Sequence, residues 1–233
     1  MAGKVKIDNA VLKRHQARQT ERKLDVRAKR TYYVIVCEGE KTEPNYFEGL
    51  KKALPPGVLQ TCQIDIHGIG DNTLSLVRKA KKIKKSIEED SGRVVDKLWV
   101  VFDRDSFTPE SFNNAILSCQ HSRPKIHCAW SNEAFELWYL LHFHFFNTAI
   151  SRGDYKSLIE KALRPHLGKA YRYRKNSEEM YSILEKYGNQ EQAIQWAGNL
   201  VNQHAGNKNF ATHNPCTMIY QLVEELIVMQ KTK

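Results

Sequence analysis

Short apolar runs alternate with amphipathic stretches along the chain from residue 31 onward. This pattern predicts strands at residues 31–37, 60–67, 97–102 and 125–130, with helical periodicity between them. The third run is apolar throughout, which is typical of a central strand covered on both faces. Strands that alternate with helices in this way predict an α/β fold with a four-stranded parallel sheet and flanking helices.

The amphipathic stretches between the strands predict helices, and some of their starts are marked by capping residues. Thr42 is a candidate cap for the first helix, and Asn72 or Thr73 opens the second. A third helix is predicted over residues 109–119, starting at a proline. Each of these helices connects two strands, so we expect them to pack on the faces of the sheet.

Helical periodicity takes over after the fourth strand. Ser131 or Asn132 is the candidate cap of an aromatic-rich helix over residues 133–142. Strand signals vanish beyond about residue 150. Further helices are predicted at residues 155–163, 178–187 and 191–203, and after Asn214-Pro215.

A chain of 233 residues is long enough for one well-buried core with an appendage. We predict a basic flexible arm at residues 1–30, an α/β core at residues 31–150, and a helical extension at residues 151–233 packed on the core. The arm carries ten basic and three acidic residues, so it is strongly positive. Such an arm is expected to bind nucleic acid, and a solvated tail or a docking peptide for a partner protein is the alternative.

Composition narrows the class of protein. Apolar residues make up 41% of the chain, and no run of about 18 apolar residues occurs that would indicate a membrane span or a signal peptide. We therefore expect a cytoplasmic protein without a membrane partner. The five cysteines are odd in number and widely spaced, without a Cys-x-x-Cys pair, which argues against a disulfide framework or a zinc site.

Three carboxylates follow predicted strands directly. Glu38 comes after the first strand, and Asp103 and Asp105 come after the third. Ligands of open parallel sheets bind beyond the carboxyl ends of the strands, so these side chains meet if the two strands are neighbours. Like charges brought together need cations, and carboxylate oxygens suit Mg²⁺ or Mn²⁺. The cluster predicts a metal site, although Asp-x-Asp alone could be a turn with an internal ion pair.

Four motifs together resemble the RloB-like family, which looks like a branch of the Toprim superfamily. They are YVIVCEGEKTEPNYF at residues 33–47, VVFDRD at 100–105, SNEAFELWYLLHF at 131–143 and NPCT at 214–217. The resemblance implies that residues 31–150 form a Toprim-like catalytic core. It also implies that Asp103 and Asp105 hold Mg²⁺, while Glu38 binds metal or moves a proton during phosphodiester cleavage. By resemblance, such proteins accompany an ATPase partner in prokaryotic antiphage defence.

Other charged residues are candidates for the same site. Glu136 or Glu133 could supply a further catalytic carboxylate; the alternatives are a buried pair with Lys or His for Glu136 and a helix cap for Glu133. Glu40 is another candidate, as is Glu43, which the helix dipole would favour in the first turn of its helix. Lys41 could neutralise a phosphate or be an ordinary surface lysine.

Two basic segments are candidates for nucleic-acid contacts. Lys79, Lys82 and Lys85 lie on the polar face of a predicted helix, where they could follow phosphates or simply be solvated. Arg172 and Arg174 flank an aromatic residue, a combination suited to single-stranded or RNA ligands.

The sequence favours a metal-dependent endonuclease, a hydrolase acting on DNA or RNA. A non-catalytic module that binds nucleic acid or a partner on a Toprim scaffold is the alternative, and primase-like nucleotidyl transfer is a third possibility. The phosphate-binding pattern Gly-x-x-x-x-Gly-Lys-Ser/Thr does not occur in the sequence, so ATP hydrolysis is expected to come from a partner.

Overall fold

The architecture is built on one mixed sheet. The computed structural model describes residues 30–70, 73–104 and 107–231. The strands of the described residues are β1 Thr31–Cys37, β2 Cys62–Gly68, β3 Lys97–Asp103, β4 His127–Asn132 and β5 Cys216–Thr217. Their order across the sheet is β2-β1-β3-β4-β5, with β5 antiparallel to β4 and the other pairs parallel. The predicted α/β fold is confirmed, but the sheet has five strands and not four.

The unpredicted strand β5 is only two residues long, too short to produce a hydrophobic run in the sequence. It pairs Thr217 with Ser131 and Cys216 with Asn132. Ser131 and Asn132 are therefore strand residues, and their prediction as helix caps is wrong. Because β4 continues through them, the aromatic-rich helix begins at Glu136 and not at residue 133.

The helices predicted between and after the strands are present, with ends shifted by a few residues. Thr42 is the first helical residue and not a cap. One short helix, which starts at a proline, was not predicted. The helices are α1 Thr42–Ala53, α2 Pro56–Thr61, α3 Thr73–Ser91, α4 Pro109–Gln120, α5 Glu136–Leu141, α6 Tyr155–Leu167, α7 Met180–Tyr187, α8 Gln190–Gln203 and α9 Ile219–Lys231, and residues Phe210–Thr212 form a turn of 3₁₀-helix.

Both faces of the sheet are covered, because alternate residues of each strand point to opposite sides. Ile35 and Val101 pack on one face against residues of α1 and of α5 to α9. Val34 and Val100 pack on the other face against α3 and α4. The central strands β1 and β3 are consequently buried along almost their whole length, as their continuous apolar character predicts.

The helices that follow residue 150 share the hydrophobic cluster on the first face of the sheet, and the described residues from 31 onward form one compact unit. The basic arm predicted at residues 1–30 lies, except for Arg30, outside the described residues. Among the described helices, none has the length and apolar character needed to cross a membrane. All five cysteines are free thiols, four of them buried.

Candidate functional site

Glu38 and Asp103 lie at the same edge of the sheet. The register of the neighbouring strands β1 and β3 pairs Cys37 with Val101, so both acidic residues come at or just beyond the carboxyl ends. The Glu38 N–H donates to the Val101 carbonyl at 2.9 Å. The Asp103 N–H donates to Glu38 Oε2 at 3.1 Å. Backbone hydrogen bonds thus fix the position of Glu38 beside Asp103. Asp105 lies outside the described residues.

The two carboxylates line a cleft with a volume of about 460 Å³. Its walls combine acidic and basic side chains with backbone from the turn after β1. The lining residues are Glu38, Gly39, Glu40, Lys41, Thr42, Glu43, Asp103, Arg152, Lys175 and Asn176. We call this space the acidic cleft. The acidic cleft therefore contains carboxylates, which attract metal ions, and also Lys and Arg side chains, which attract phosphate groups.

Glu43 belongs to the acidic cleft as well as to the first turn of α1. Its side chain is buried, and a Cβ atom at position 39 would overlap its Oε2 atom. The glycine after Glu38 thus leaves room for a third carboxylate close to the first two. Burial raises the pKa of the Cys37 thiol well above its usual value, and the nearby carboxylates of Glu43 and Asp103 raise it further.

Arg152 and Lys175 reach the cleft from the helical part of the chain. The Arg152 N–H donates to Glu133 Oε2 at 2.8 Å, so Glu133 orients this segment and does not cap a helix. Thr42 Oγ1 donates to the Lys175 carbonyl at 3.1 Å. Asn45 Nδ2 donates to the Asn176 carbonyl at 3.0 Å, which holds the segment around Lys175 against α1.

Glu136 lies outside the lining of the acidic cleft. It is buried at the start of α5 and accepts a hydrogen bond from the Tyr173 hydroxyl at 3.1 Å, so its partner is a tyrosine and not Lys or His. The Tyr173 N–H donates to Glu160 Oε1 at 3.2 Å. Burial and the Glu136 carboxylate raise the pKa of Tyr173, which keeps its hydroxyl protonated and donating. Glu136 therefore anchors the segment that brings Lys175 to the cleft.

The residues predicted to contact nucleic acid are exposed but do not line the acidic cleft. Lys79, Lys82 and Lys85 lie on the solvent face of α3, where Lys85 also forms an ion pair with Glu89 at 3.4 Å. Arg172 and Arg174 flank the buried Tyr173 on the segment that carries Lys175. Arg152 and Lys175 were not predicted to lie at this cleft, because only folding brings these distant positions to the end of β1.

The donor chemistry of the acidic cleft suits a hard divalent cation. No group of three or more His, Cys, Asp or Glu side chains arranged to hold a metal is found in residues 30–70, 73–104 and 107–231. Mg²⁺, however, is usually bound through one or two carboxylates together with water and substrate phosphate. Glu38 and Asp103 provide such a pair, and Lys41 provides a cation at the same opening.

Comparison with known proteins identifies a family for the chain. Searches of curated proteins and of solved structures gave no significant match. The family model described as RloB-like protein matches residues 33–226, which include every described residue of the acidic cleft. Because the match spans most of the sequence, the chain belongs to the RloB-like family.

Proposed function

We propose that this protein is a Mg²⁺- or Mn²⁺-dependent endonuclease with a Toprim-like catalytic core, which hydrolyses phosphodiester bonds in nucleic acid. The observation that carries the proposal is the pair of Glu38 and Asp103 at neighbouring strand ends inside a cleft that also holds cations. A phosphodiester substrate needs both kinds of group, since its negative charge must be neutralised while water attacks. A carboxylate after β1 and another after β3 also fit the Toprim resemblance.

The side chains of the acidic cleft divide into two roles in this proposal. Lys41, Arg152 and Lys175 bind phosphate oxygens and orient the strand to be cut. Glu38 and Asp103, joined by Asp105 as the resemblance implies, hold the divalent cation. When bound, this ion supplies charge neutralisation at the phosphate and a lowered pKa of the attacking water. Glu38 is the candidate to accept a proton from that water.

Glu136 acts at a distance from the substrate in this mechanism. Its hydrogen bond with Tyr173 fixes the segment of Lys175, so it is a positioning residue and not a group that touches the phosphate. This role differs from the catalytic role predicted from sequence. The role of Lys41 as a phosphate ligand is kept, since its exposed side chain lines the cleft.

We further propose that the nuclease works with an ATPase partner in antiphage defence. Membership of the RloB-like family supports this association through the resemblance described above. The partner would restrain or release cleavage, which explains how a cell could carry such an enzyme without damage to its own nucleic acid.

The test is a cleavage assay with purified protein, labelled plasmid DNA and total tRNA, in Mg²⁺, in Mn²⁺ and in EDTA. The variants are Asp103→Asn and, as a matched control, Glu110→Gln, an exposed carboxylate of α4 outside the cleft. We expect metal-dependent cleavage that Asp103→Asn abolishes and Glu110→Gln retains, with both variants folded by circular dichroism. Cleavage that survives in Asp103→Asn would contradict the proposal.

A second candidate function is a non-catalytic module that binds nucleic acid or a partner protein. It is favoured by the cations Lys41, Arg152 and Lys175 in the acidic cleft, which can bind a phosphate without a metal. This alternative predicts no cleavage in the presence of the ATPase partner, together with nucleic-acid binding that survives Asp103→Asn and falls when residues 1–30 are removed.

A further inference from the structure

The outer edge of β4 is only partly covered. The short strand β5 pairs with Ser131 and Asn132 alone, and the Met218 N–H donates to the Trp130 carbonyl at 2.8 Å. Backbone groups of successive strand residues point to opposite sides, so Cys128, two residues before Trp130, directs its N–H and C=O to the same outer side. No strand of the described residues pairs with β4 at Cys128. This edge therefore offers one backbone donor and one acceptor side by side.

A pocket with a volume of about 350 Å³ lies over this edge, and we call it the edge pocket. Its volume falls in the range of small-molecule sites, about 300–1,000 Å³. Aromatic rings form much of the wall: Trp99 stacks on His127 with 4.8 Å between ring centroids, and Trp130 meets Phe210 at 6.0 Å. Such walls suit a flat ring, since stacking on aromatic faces tolerates any base.

His213 brings a buried polar atom to the edge pocket. The side chain is only 5% exposed, and its Nε2 atom has no hydrogen-bond partner among the described residues. The ring lies parallel to that of His204, with centroids 4.4 Å apart. Burial lowers the pKa of His213 and the neighbouring His204 lowers it further, so the ring is neutral near pH 7. A buried polar atom without a protein partner can hydrogen-bond a ligand that enters the pocket.

Exposed cations adjoin the edge pocket. Lys125 lines both this pocket and a second depression of about 240 Å³, whose walls also include Lys81 and Arg123. These three side chains are exposed, and none has a carboxylate partner within 4.0 Å in the part of the chain that the structure describes. We call them the basic rim. Clustered lysine and arginine side chains without acidic partners suit phosphate.

We propose that the edge pocket binds a nucleoside phosphate, with the base between the aromatic walls near the edge of β4 and the phosphate at the basic rim. The base forms hydrogen bonds with the backbone N–H and C=O of Cys128 and with the Nε2 atom of His213. The basic rim lies near the amino ends of β3 and β4, whereas the acidic cleft lies at the carboxyl ends of the parallel strands. The edge pocket is thus separate from the proposed cleavage site. Its ligand is either a free mononucleotide or one nucleotide of a bound strand.

Isothermal titration calorimetry of the full chain in EDTA tests this site, because EDTA removes the metal that cleavage would need. The probes are AMP, GMP, CMP and UMP, and a short single-stranded RNA. Ala205→Trp fills the edge pocket from an exposed position, and Gln203→Trp is the matched control, since Gln203 is also exposed but does not line the pocket. A second variant, Arg123→Glu with Lys125→Glu, reverses charge at the basic rim.

We expect binding that Ala205→Trp and the charge-reversal variant each weaken by at least about tenfold, while Gln203→Trp retains it. Binding of a mononucleotide identifies a free nucleotide as the source, and binding of the RNA alone identifies a strand. Absence of binding by every probe, or binding that neither the pocket variant nor the rim variant weakens, overturns the proposal. Because the titrations are done in EDTA and measure binding and not cleavage, this outcome is independent of nuclease activity.

Discussion

Gly39 determines how closely Glu43 can approach the end of β1. A Cβ atom at position 39 would overlap the Glu43 carboxylate, which is the flexible end of its side chain. We predict that Gly39→Ala displaces this carboxylate, slows metal-dependent cleavage, and changes the free energy of unfolding by less than about 1 kcal/mol. Cleavage rates and urea unfolding measure the two effects. Gly153→Ala is the control, because a Cβ there meets nothing within 4 Å although its neighbour Arg152 lines the cleft. Equal cleavage by both variants would contradict this interpretation.

The hydrogen bond between Tyr173 and Glu136 is buried, so its loss is costly. Tyr173→Phe leaves the Glu136 carboxylate without this donor, and we predict a loss of about 1–3 kcal/mol in the free energy of unfolding. Substrate affinity should fall as well, because the segment of Lys175 loosens. Tyr171→Phe is the matched control, since the Tyr171 hydroxyl makes only a long contact of 3.8 Å to the Met180 sulfur. Urea unfolding of both variants checks the prediction, which fails if they lose equal stability.

His142 makes the stability depend on pH. Its ring is buried, its Nδ1 lies 2.8 Å from the Trp138 carbonyl, and burial lowers its pKa from the usual 6.5 to about 4. The unfolded chain therefore binds a proton at higher pH than the folded protein does. The contribution of His142 to stability is complete above pH 6.5 and is lost as the pH falls towards 4.

We predict that the free energy of unfolding falls by about 2 kcal/mol between pH 7 and pH 5 through this residue. Urea unfolding at both pH values should show a smaller difference in His142→Gln than in the wild type. Some dependence remains, because the pKa values of His127 and His213 are also lowered. His144→Gln, at an exposed position, is expected to keep the full difference. An unchanged pH dependence in His142→Gln would exclude His142 as the cause.

At the scale of elements, the contact between α1 and α7 depends on Gly49. A Cβ at this position would lie 2.5 Å from the Cβ of Tyr181, which cannot move without moving its helix. We predict that Gly49→Ala costs about 1–3 kcal/mol through overpacking, even though alanine is the better helix former. Gly198→Ala in α8, where a Cβ meets nothing within 4 Å, should instead be neutral or stabilising. Thermal unfolding of both variants tests this prediction. A Gly49→Ala protein that is more stable than the wild type would refute the packing argument.

Elements with long apolar runs could be predicted from the sequence, and elements that depend on distant partners could not. β1 and β3 are found where their buried runs predict them. β5 forms only because Cys216 and Thr217 meet β4, and its pairing also keeps Ser131 and Asn132 in a strand. Local capping preferences of Ser131 and Asn132 were overruled by these tertiary hydrogen bonds.

In the candidate site, too, some residues could be predicted from local sequence and others could not. Glu38 and Asp103 could be located because each stands at the end of a predicted strand, and the carboxyl ends of parallel strands meet at one edge. The positions of Arg152 and Lys175 in the cleft could not be predicted, since no sequence pattern in their segments indicates that they pack near the end of β1. Glu136 was predicted as a candidate catalytic acid because of its position at a helix start. Its burial and its hydrogen bond with Tyr173, outside the lining of the acidic cleft, could not be predicted from the sequence, and they support the positioning role proposed above.

At the scale of the whole molecule, the carboxyl ends of the central strands bring carboxylates together in the acidic cleft, beside the cations Lys41, Arg152 and Lys175. Asp103 and Glu43 are buried there, and Glu38 lies beside Asp103. A cation bound between these groups would interact favourably with their negative charge. Any ion that binds only the folded chain should therefore raise its stability.

We predict that Mg²⁺ raises the Tm of the wild-type protein. An ion present at a hundred times its Kd stabilises the folded state by about 2.7 kcal/mol, which corresponds to roughly 5–10 °C for a domain of this size. Asp103→Asn should gain little from Mg²⁺, while Glu110→Gln should respond as the wild type does. Thermal unfolding with NaCl at matched ionic strength separates site binding from screening. If Asp103→Asn and the wild type gain equally, the ion binds elsewhere, and the acidic cleft is then a phosphate- or partner-binding site rather than a metal centre.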